Sequence, residues 1–435
     1  MSENTPTLDP ASQAGSAIDA GGTEPTSAGP YPRYRKADLG LRNHWYAALF
    51  GSELEEGKVR GEMILGERVL FKRIEGKVFA IADRCPHRGA SFSARPECYT
   101  KNTVTCWLHG FTVDVRTGMV VQILADPGHR YVNKLKTKTY PVEEINGVIF
   151  VFIGELDPVP PIKLDLQPKF SGAKLALHPV ARNKVRANWR IAAENGFDAA
   201  HLYGHRHAGM FEGTDMTMPL SSFPSSNASI KVLDSDAGPC GVVKTDDFTV
   251  WSAEIEGVKV NAVNLDESNP PGASDGQPTI VGLFMPCGLE VDWWPAPGVL
   301  HFEWFTPVDE DHHYYIIAHA TVVNSAEEEA EFHRKCKEEY APLTWKGPAG
   351  QTAPEGDGPT WGFNNFDSFG RAQIHHAYQY ENFWVKERLI RPDVIISRWR
   401  ALTEKRMRGM QTRDEWAHTR GWSPDGQDYD PKLNE

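Results

Sequence analysis

Positive charge is in short supply in this chain. Its 46 Lys and Arg face 58 Asp and Glu, a formal net charge of −12 over 435 residues. Nucleic acid is therefore not an expected partner, because phosphate binding calls for a basic surface. Cysteine is rarer still: six residues, irregularly spaced, are too few for a disulfide framework at this length. No apolar run reaches the ~20 residues that cross a membrane, and the most apolar stretch, "GVIFVFIG" from Gly147, has the length of a buried strand. Residues 1–30 hold Glu3, Asp9, Asp19 and Glu24 but no Lys or Arg, so neither a secretory leader nor an Arg-rich transit peptide is expected there. Rich in Ser, Thr, Ala, Gly and Pro, residues 1–33 read as a disordered tail. The expectation is a cytoplasmic protein with no membrane contact.

The length predicts two domains with sizeable cores. Residues 34–156 read as short strands punctuated by turns. "VLFKRIEGKVFAIA" gives a hairpin around Glu75-Gly76, and "YPVEEINGVIFVFIG" gives another around Asn146-Gly147, a dipeptide suited to tight hairpin turns. Four prolines in "GELDPVPPIKLDLQP" mark a linker, placed at 157–176. Residues 177–410 mix successive strands, over 279–322, with segregated helices, which predicts an α+β domain. Ser325 with Glu328 forms a capping box that opens a charged helix. "NWRIAAENGFDAAHLYGHRH" has helical composition weakened by Gly196 and Gly204, and another helical stretch follows Asp367. Residues 411–435 read as a polar tail.

Thiols and imidazoles alternate in "CPHRGASFSARPECYTKNTVTCWLH": Cys85-x-His87, eighteen residues, then Cys106-x-x-His109. A zinc finger groups a Cys pair and a separate His pair, so that template fails. In a Rieske [2Fe–2S] cluster two Cys hold one iron and two His the other, and each loop supplies one sulfur and one nitrogen. Neutral imidazoles in place of two thiolates lift the potential from about −400 mV to roughly −150 to +300 mV. Gly89 and Gly110, after the two His, allow close approach of backbone to the cluster. Cys98 has no partner at matching spacing and is expected as a small buried side chain, as are Cys240, Cys287 and Cys336.

A cluster alone makes an electron carrier and leaves the larger part of the chain without a task. In "ENGFDAAHLYGHRH", His201 and His205 differ by about 40° around a helix and share one face, with Asp198 beside His201. His207 sits about 240° from His201 and is the poorer second ligand. Two His and one carboxylate on one face of iron leave positions open for dioxygen, as in non-haem iron(II) oxygenases. The absence of Glu after the first His excludes the zinc-protease motif. Spacing does not find the third ligand. Asp357, Glu381 and Asp367 all remain candidates, and Asp367 is equally readable as a helix N-cap.

The chain resembles the terminal oxygenase component of Rieske non-haem iron ring-hydroxylating oxygenases, in the group that includes carbazole 1,9a-dioxygenase and 2-oxoquinoline 8-monooxygenase. "RNHWY", "TKNTVTCWLHGFT", "ENGFDAAH" and "HFEWFTPVDEDHHYY" carry the resemblance, from about Leu41 to about Arg400. It implies an all-β Rieske domain followed by an α+β catalytic domain with a large antiparallel sheet flanked by helices. It further implies a [2Fe–2S] cluster on Cys85, His87, Cys106 and His109, and mononuclear Fe(II) on His201, His205 and Asp367, the last drawn from "GFNNFDSFGRAQ". Phe363, Asn364 and Trp294 match substrate-pocket positions. The resemblance also implies a homotrimer in which Asp198 bridges to His109 of a neighbouring chain. It implies, too, that electrons pass from NADH through a reductase, commonly with a ferredoxin, and that O2 is the co-substrate on an aromatic or heteroaromatic ring. A Rieske monooxygenase or demethylase and a plain electron-transfer protein stand as alternatives.

Overall fold

The computed structural model describes residues 29–411, except 173, 199–200, 202–204, 206–221, 225–228, 234–239, 246–247, 251–252, 256–257, 261–280, 293, 347–361 and 391–392. Of the expected tails at 1–33 and 411–435, residues 1–28 and 412–435 lie outside the described residues, as do Gly204, His207 and Asp357, whereas Pro32 already opens a helix. Gln411 is buried.

Ten strands come first: β1 (His44–Phe50), β2 (Val59–Ile64), β3 (Glu67–Ile74), β4 (Lys77–Ala82), β5 (Thr103–Thr105), β6 (Phe111–Asp114), β7 (Val120–Ile123), β8 (Thr139–Tyr140), β9 (Val142–Ile145) and β10 (Val148–Ile153). They form sheets ordered β1-β10-β9, β2-β3-β4-β8 and β5-β6-β7. Both expected hairpins form: Ile74 pairs Lys77 and Ile145 pairs Val148. At both turns the two central residues have positive φ, 53° and 76° at Glu75-Gly76, 48° and 77° at Asn146-Gly147. That is the backbone twist a two-residue hairpin needs.

The second half is built on a seven-stranded antiparallel sheet. Its strands are β11 (Ala176–Val185), β13 (Ser229–Leu233), β14 (Cys240–Thr245), β18 (Val281–Phe284), β19 (Gly288–Asp292), β20 (Leu300–Pro307) and β21 (His313–Thr321), in the order β11-β21-β20-β19-β18-β14-β13. Two small ribbons accompany it: β12 (Ser222–Pro224) with β15 (Phe248–Val250), and β16 (Ala253–Ile255) with β17 (Val258–Val260). The helices are α1 (Pro32–Lys36), α2 (Pro168–Gly172), α3 (Trp189–Phe197), α4 (Ala326–Lys335), α5 (Ala341–Thr344), α6 (Phe363–Tyr380) and α7 (Val394–Arg406). This is an all-β domain followed by an α+β domain whose large antiparallel sheet is flanked by helices.

Period-two patterning sorts side chains between two cores. In β10, Val148, Phe150 and Phe152 join one cluster, with Phe302, Trp304 and Ile316 of the large sheet. Ile149, Val151 and Ile153 join the other, with Phe305, Tyr315 and Trp189. Both clusters draw on both halves of the chain, at about 1.5–3 kcal/mol per fully buried large apolar side chain. The proline-rich stretch is packed as well: Ile162, Leu166, Phe170 and Leu175 are buried in the first cluster.

Three expectations need correction. α3 stops at Phe197, so His201 and His205 do not ride on one continuous α-helix; each sits in a tight 3₁₀-type turn. Gly196 lies inside α3 because a Cβ there would sit 2.7 Å from the Phe305 ring, so this glycine marks close packing of helix on sheet. Cys98 is exposed, in the irregular stretch between β4 and β5, while Cys287 and Cys336 are buried as expected; the side chain of Cys240 lies outside the described residues.

Candidate metal centres

Two loops at strand tips repeat one hydrogen-bond pattern. In the first, after β4, Gly89 N–H donates to Cys85 O (2.8 Å) and Cys85 N–H to Ala90 O (2.8 Å). In the second, between β5 and β6, Gly110 N–H donates to Cys106 O (2.9 Å) and Cys106 N–H to Phe111 O (2.8 Å). Both glycines have positive φ, 75° and 72°, and a Cβ on Gly110 would meet Leu124 at 2.5 Å. A turn this tight at these positions requires glycine.

The turns bring four donors together in like pairs. Cys85 and Cys106 are both buried, and the hydrogen bond between their sulfurs pulls Cys106 down to about 6 while it pushes Cys85 up. The His87 and His109 rings meet edge to face with centroids 4.5 Å apart, and His87 also stacks on Phe111 at 4.9 Å. Desolvation, then the neighbouring His109, holds His87 below its ordinary value, so its nitrogen keeps a lone pair. Two sulfurs on one side and two imidazoles on the other is the donor set of a two-iron cluster with unlike ends. A single tetrahedral ion would draw all four to one point. Beside the loops, Trp107 and Leu108 are exposed.

The second constellation joins the segment after α3 to α6. The Nε2 atoms of His201 and His205 lie 3.2 and 3.3 Å from Asp367 Oδ1. The three residues can place their donor atoms within 4.8 Å of one another, and no other three His, Cys, Asp or Glu among the described residues do so. Asp367 Oδ1 is buried yet meets hydrogen-bond geometry with no donor among the described residues. Converging donors without a proton between them suit a cation, and two imidazoles with one carboxylate suit iron(II). Burial favours a neutral Asp367, but His205 and Arg371 hold its carboxyl well below the usual range. Burial likewise lowers His205, whereas Asp367 outweighs burial at His201 and raises it.

Partners fix these side chains. Asp367 Oδ2 accepts from Asn364 Nδ2 (3.2 Å) and from the Tyr315 hydroxyl (3.5 Å). Arg371, fully buried, lies 3.9 Å from Asp367 Oδ1 and ties α6 to α3 through Asn195 Oδ1 at 2.6 Å. The acceptor at His201 Nδ1 is the backbone carbonyl of Asp198, so the side-chain partner expected from spacing becomes a main-chain one. Asp198 closes α3 as its C-cap, and its half-buried carboxylate adds negative charge beside His201.

Asp367 is the fifth residue of α6, whose N-cap is Gly362, so the capping role weighed for Asp367 does not apply. Glu381 is exposed at the far end of the same helix. Phe363 stacks on His205 with centroids 3.7 Å apart and planes 3° from parallel, and Trp294 tilts against Phe363 at 4.8 Å. Asn364 Oδ1 is buried with no hydrogen-bond partner among the described residues, because the amide NH2 faces three acceptors: Glu303, Tyr315 and Asp367. Sequence reading missed Glu303, Tyr315 and Arg371. Polar residues inside apolar strands and a buried Arg on a helix were the available signals.

The chain matches known families and proteins over most of its length. Residues 44–141 match the Rieske [2Fe-2S] domain, and residues 152–411 match the family described as homotrimeric ring hydroxylase. The chain is 36% identical over 382 residues to the terminal oxygenase component of carbazole 1,9a-dioxygenase from a Sphingomonas species, covering 87% of this chain and 95% of that one. The solved terminal oxygenase of carbazole 1,9a-dioxygenase from Nocardioides aromaticivorans IC177 superposes with a TM-score of 0.76 at 32% identity, over 88% of this chain and 98% of that one. A reduced complex between oxygenase and ferredoxin in carbazole 1,9a-dioxygenase matches at 30% identity and a TM-score of 0.76, covering 92% and 96%.

Proposed function

Because the chain belongs to the homotrimeric ring hydroxylases that carry a Rieske domain, we propose that it oxygenates an N-heteroaromatic ring of the carbazole type, with electrons from NADH relayed by a reductase and a ferredoxin. It is the terminal oxygenase component, with a [2Fe–2S] cluster and a mononuclear iron. In this reading Cys85, His87, Cys106 and His109 hold the cluster, and His201, His205 and Asp367 hold the iron. The observation that carries it is the convergence of those last three donors within 4.8 Å. Bound iron supplies the means to activate O2.

The chain's own residues do the rest. Phe363 and Trp294 wall the iron side of the pocket with aromatic surface, which favours a flat apolar ring over water. Asn364 Oδ1, which has no partner among the described residues, can accept a ring N–H, which favours a heteroaromatic substrate. Asn364, Tyr315 and Arg371 hold the Asp367 carboxylate in its orientation. Relatives named as carbazole dioxygenases, one of them solved with a ferredoxin, support the substrate class and the electron donor. In the trimer, Asp198 of one subunit meets His109 of the next, so that a cluster serves its neighbour's iron. Among the described residues no helix is long and apolar enough to cross a membrane, and we assign the enzyme to the cytoplasm, where NADH is made.

Iron analysis and product analysis test the function together. The purified protein should hold about three iron atoms per chain, two in the cluster and one beyond it. With a reconstituted reductase and ferredoxin it should oxygenate members of a carbazole-like and quinoline-like panel. Two irons per chain and no oxygenated product would leave only an electron carrier.

A further inference from the structure

Behind α6 the large sheet carries ionisable groups that neither metal centre uses. His301 and Glu303 on β20 and His319 on β21 are all buried. His301 Nε2 lies 2.7 Å from Glu303 Oε1, and His301 Nδ1 lies 3.3 Å from Nδ1 of His319. On its other side, His319 Nε2 faces the Thr344 hydroxyl oxygen at 3.0 Å. Glu303 Oε1 also accepts from Asn364 Nδ2 at 2.7 Å, the same amide nitrogen that donates to Asp367 Oδ2.

These partners fix where the hydrogens are. The Thr344 hydroxyl donates its one hydrogen to Tyr340 O (3.1 Å) and so accepts at His319, which places the N–H on His319 Nε2. A neutral His319 then has a bare Nδ1, which takes its hydrogen bond from Nδ1–H of His301. That leaves His301 Nε2 facing a carboxyl oxygen at 2.7 Å, a separation that two lone pairs do not sustain. One further proton therefore lies between them, as imidazolium with carboxylate or as imidazole with carboxylic acid. We infer that the His301–Glu303 pair stores a proton inside the protein and gives it up when O2 is reduced at the neighbouring iron site.

The reaction needs two protons, of which the pair supplies the first and bulk solvent the second. Adding both oxygen atoms across a ring C=C consumes O2, two electrons and two protons and gives a dihydrodiol. Inserting one consumes the same and gives a phenol and water. Electrons arrive through the cluster, while the walls given by Phe363 and Trp294 offer no proton. Release leaves His301 neutral beside an ionised Glu303, whose Oε2 is buried without a partner among the described residues and is one oxygen over which the proton can leave. His178 on β11 is the register partner of His319, and its Nδ1 lies 3.3 Å from Nδ1 of the half-exposed His333 on α4. Burial holds both His319 and His178 below the ordinary value, so these rings stay neutral. The other charged or titratable groups near the pair are Tyr315 on β21 with Arg371 and Asp367 on α6.

This inference rests on the oxygenase reading, so its test has one arm that does not depend on turnover. Ring ¹⁵N NMR of histidine-labelled holoenzyme, with His301→Gln and His319→Gln identifying the signals, should show His319 neutral with hydrogen on Nε2. The His301 ring should be protonated on Nδ1, with a second proton shared towards Glu303. A bare Nε2 on His301 beside an infrared signature of ionised Glu303 overturns the store. The second arm mixes prereduced holoenzyme with carbazole and O2 in the presence of a pH-indicator dye. In the wild type, uptake of bulk protons should lag cluster reoxidation. In Glu303→Gln, and in His301→Gln should the first variant fail to fold, the lag should vanish and peroxide release should rise several-fold, with iron content and cluster absorbance unchanged. Dye and cluster signals that coincide in the wild type overturn the proposal. Absence of oxygenated product from every form counts against the function itself, and the NMR arm then still decides the pair.

Discussion

Cys106 shows how much chemistry one atom carries. Its sulfur is buried, shares a hydrogen bond with Cys85 and is pulled down to about 6, so it is close to thiolate before any metal arrives. A serine there keeps the size and loses the anion, and a neutral hydroxyl does not replace a thiolate on iron. Cys106→Ser should therefore lose the visible absorbance of the cluster and all NADH-driven turnover; a coloured, active variant would refute the assignment. Asp198 poses a subtler problem. Its backbone carbonyl already orients His201, and Asp198→Asn preserves that contact, so the variant isolates the charge of the side chain. We expect it to fold, keep both metals and lose roughly 10–100-fold in turnover, because the proposed bridge to His109 needs an anion. Rapid-mixing absorbance of the prereduced variant should show slow reoxidation with substrate and O2, and a wild-type rate would reduce Asp198 to a helix cap. The cluster residues were legible because their spacing is local. Asp367 was not, because 162 positions separate it from His205 in sequence and only the packing of α6 on α3 brings them together.

At the scale of elements, α3 sets the position of both histidines by where it stops and how closely it sits. Gly196 read as a weakness in the helix, since glycine costs about 1 kcal/mol relative to alanine in a helix interior. Its neighbours reverse that reading. A methyl group there would approach the Phe305 ring to 2.7 Å and Leu289 to 3.3 Å. Phe305 has little room to retreat, being buried, stacked on Tyr315 at 5.6 Å and covered by the Arg371 guanidinium at 4.9 Å. Gly196→Ala should therefore destabilise the protein by about 1–3 kcal/mol, as overpacking does. It should also weaken iron retention, because Tyr315 and Arg371 both touch Asp367. Thermal melts with iron analysis decide it, and a raised Tm would mean the helix has room to spare. Local signals served the sequence well where the turn or cap is self-contained. The Asn146-Gly147 hairpin forms, and Ser325 accepts from Glu328 N–H, although the Glu328 carboxylate reaches Asn324 N–H in place of Ser325. Such signals failed where a neighbour decides: proline content alone hid the packing of Ile162, Leu166 and Phe170 against the large sheet.

At the scale of the whole molecule, a buried charge cluster ties the segment before β1 to the segment after α7. Arg42, just before β1, bonds Glu67 on β3 at 2.6 Å, and the same guanidinium nitrogen donates to Gln411 at 2.5 Å. Gln411 N–H in turn donates to Gly40 O (2.8 Å), and Arg42 N–H to Gly409 O (3.0 Å). Glu67 also accepts from Tyr140 (2.7 Å) and Lys138 (3.0 Å). Burial alone would raise Glu67, but Lys138 and Arg42 outweigh it and bring the carboxyl down to about 2. Lys138 is itself held below its ordinary value by burial, so Arg42 is the firmer of the two cations. A carboxyl depressed from about 4.5 in the unfolded chain to about 2 in the folded one contributes on the order of 3 kcal/mol. That contribution is complete above the unfolded value and is lost as pH falls through the folded one. The melting temperature should therefore drop steeply between about pH 4.5 and pH 2. Glu67→Gln should melt lower at neutral pH by on the order of the same 3 kcal/mol, because it removes the buried anion while Glu155 stays paired with Arg42. The gap between variant and wild type should then narrow towards about pH 2, where the wild-type carboxyl is protonated as well. Melting curves at stepped pH measure both effects, and a gap that stays constant through the acid limb would show that Glu67 stabilises the molecule by packing and not by charge.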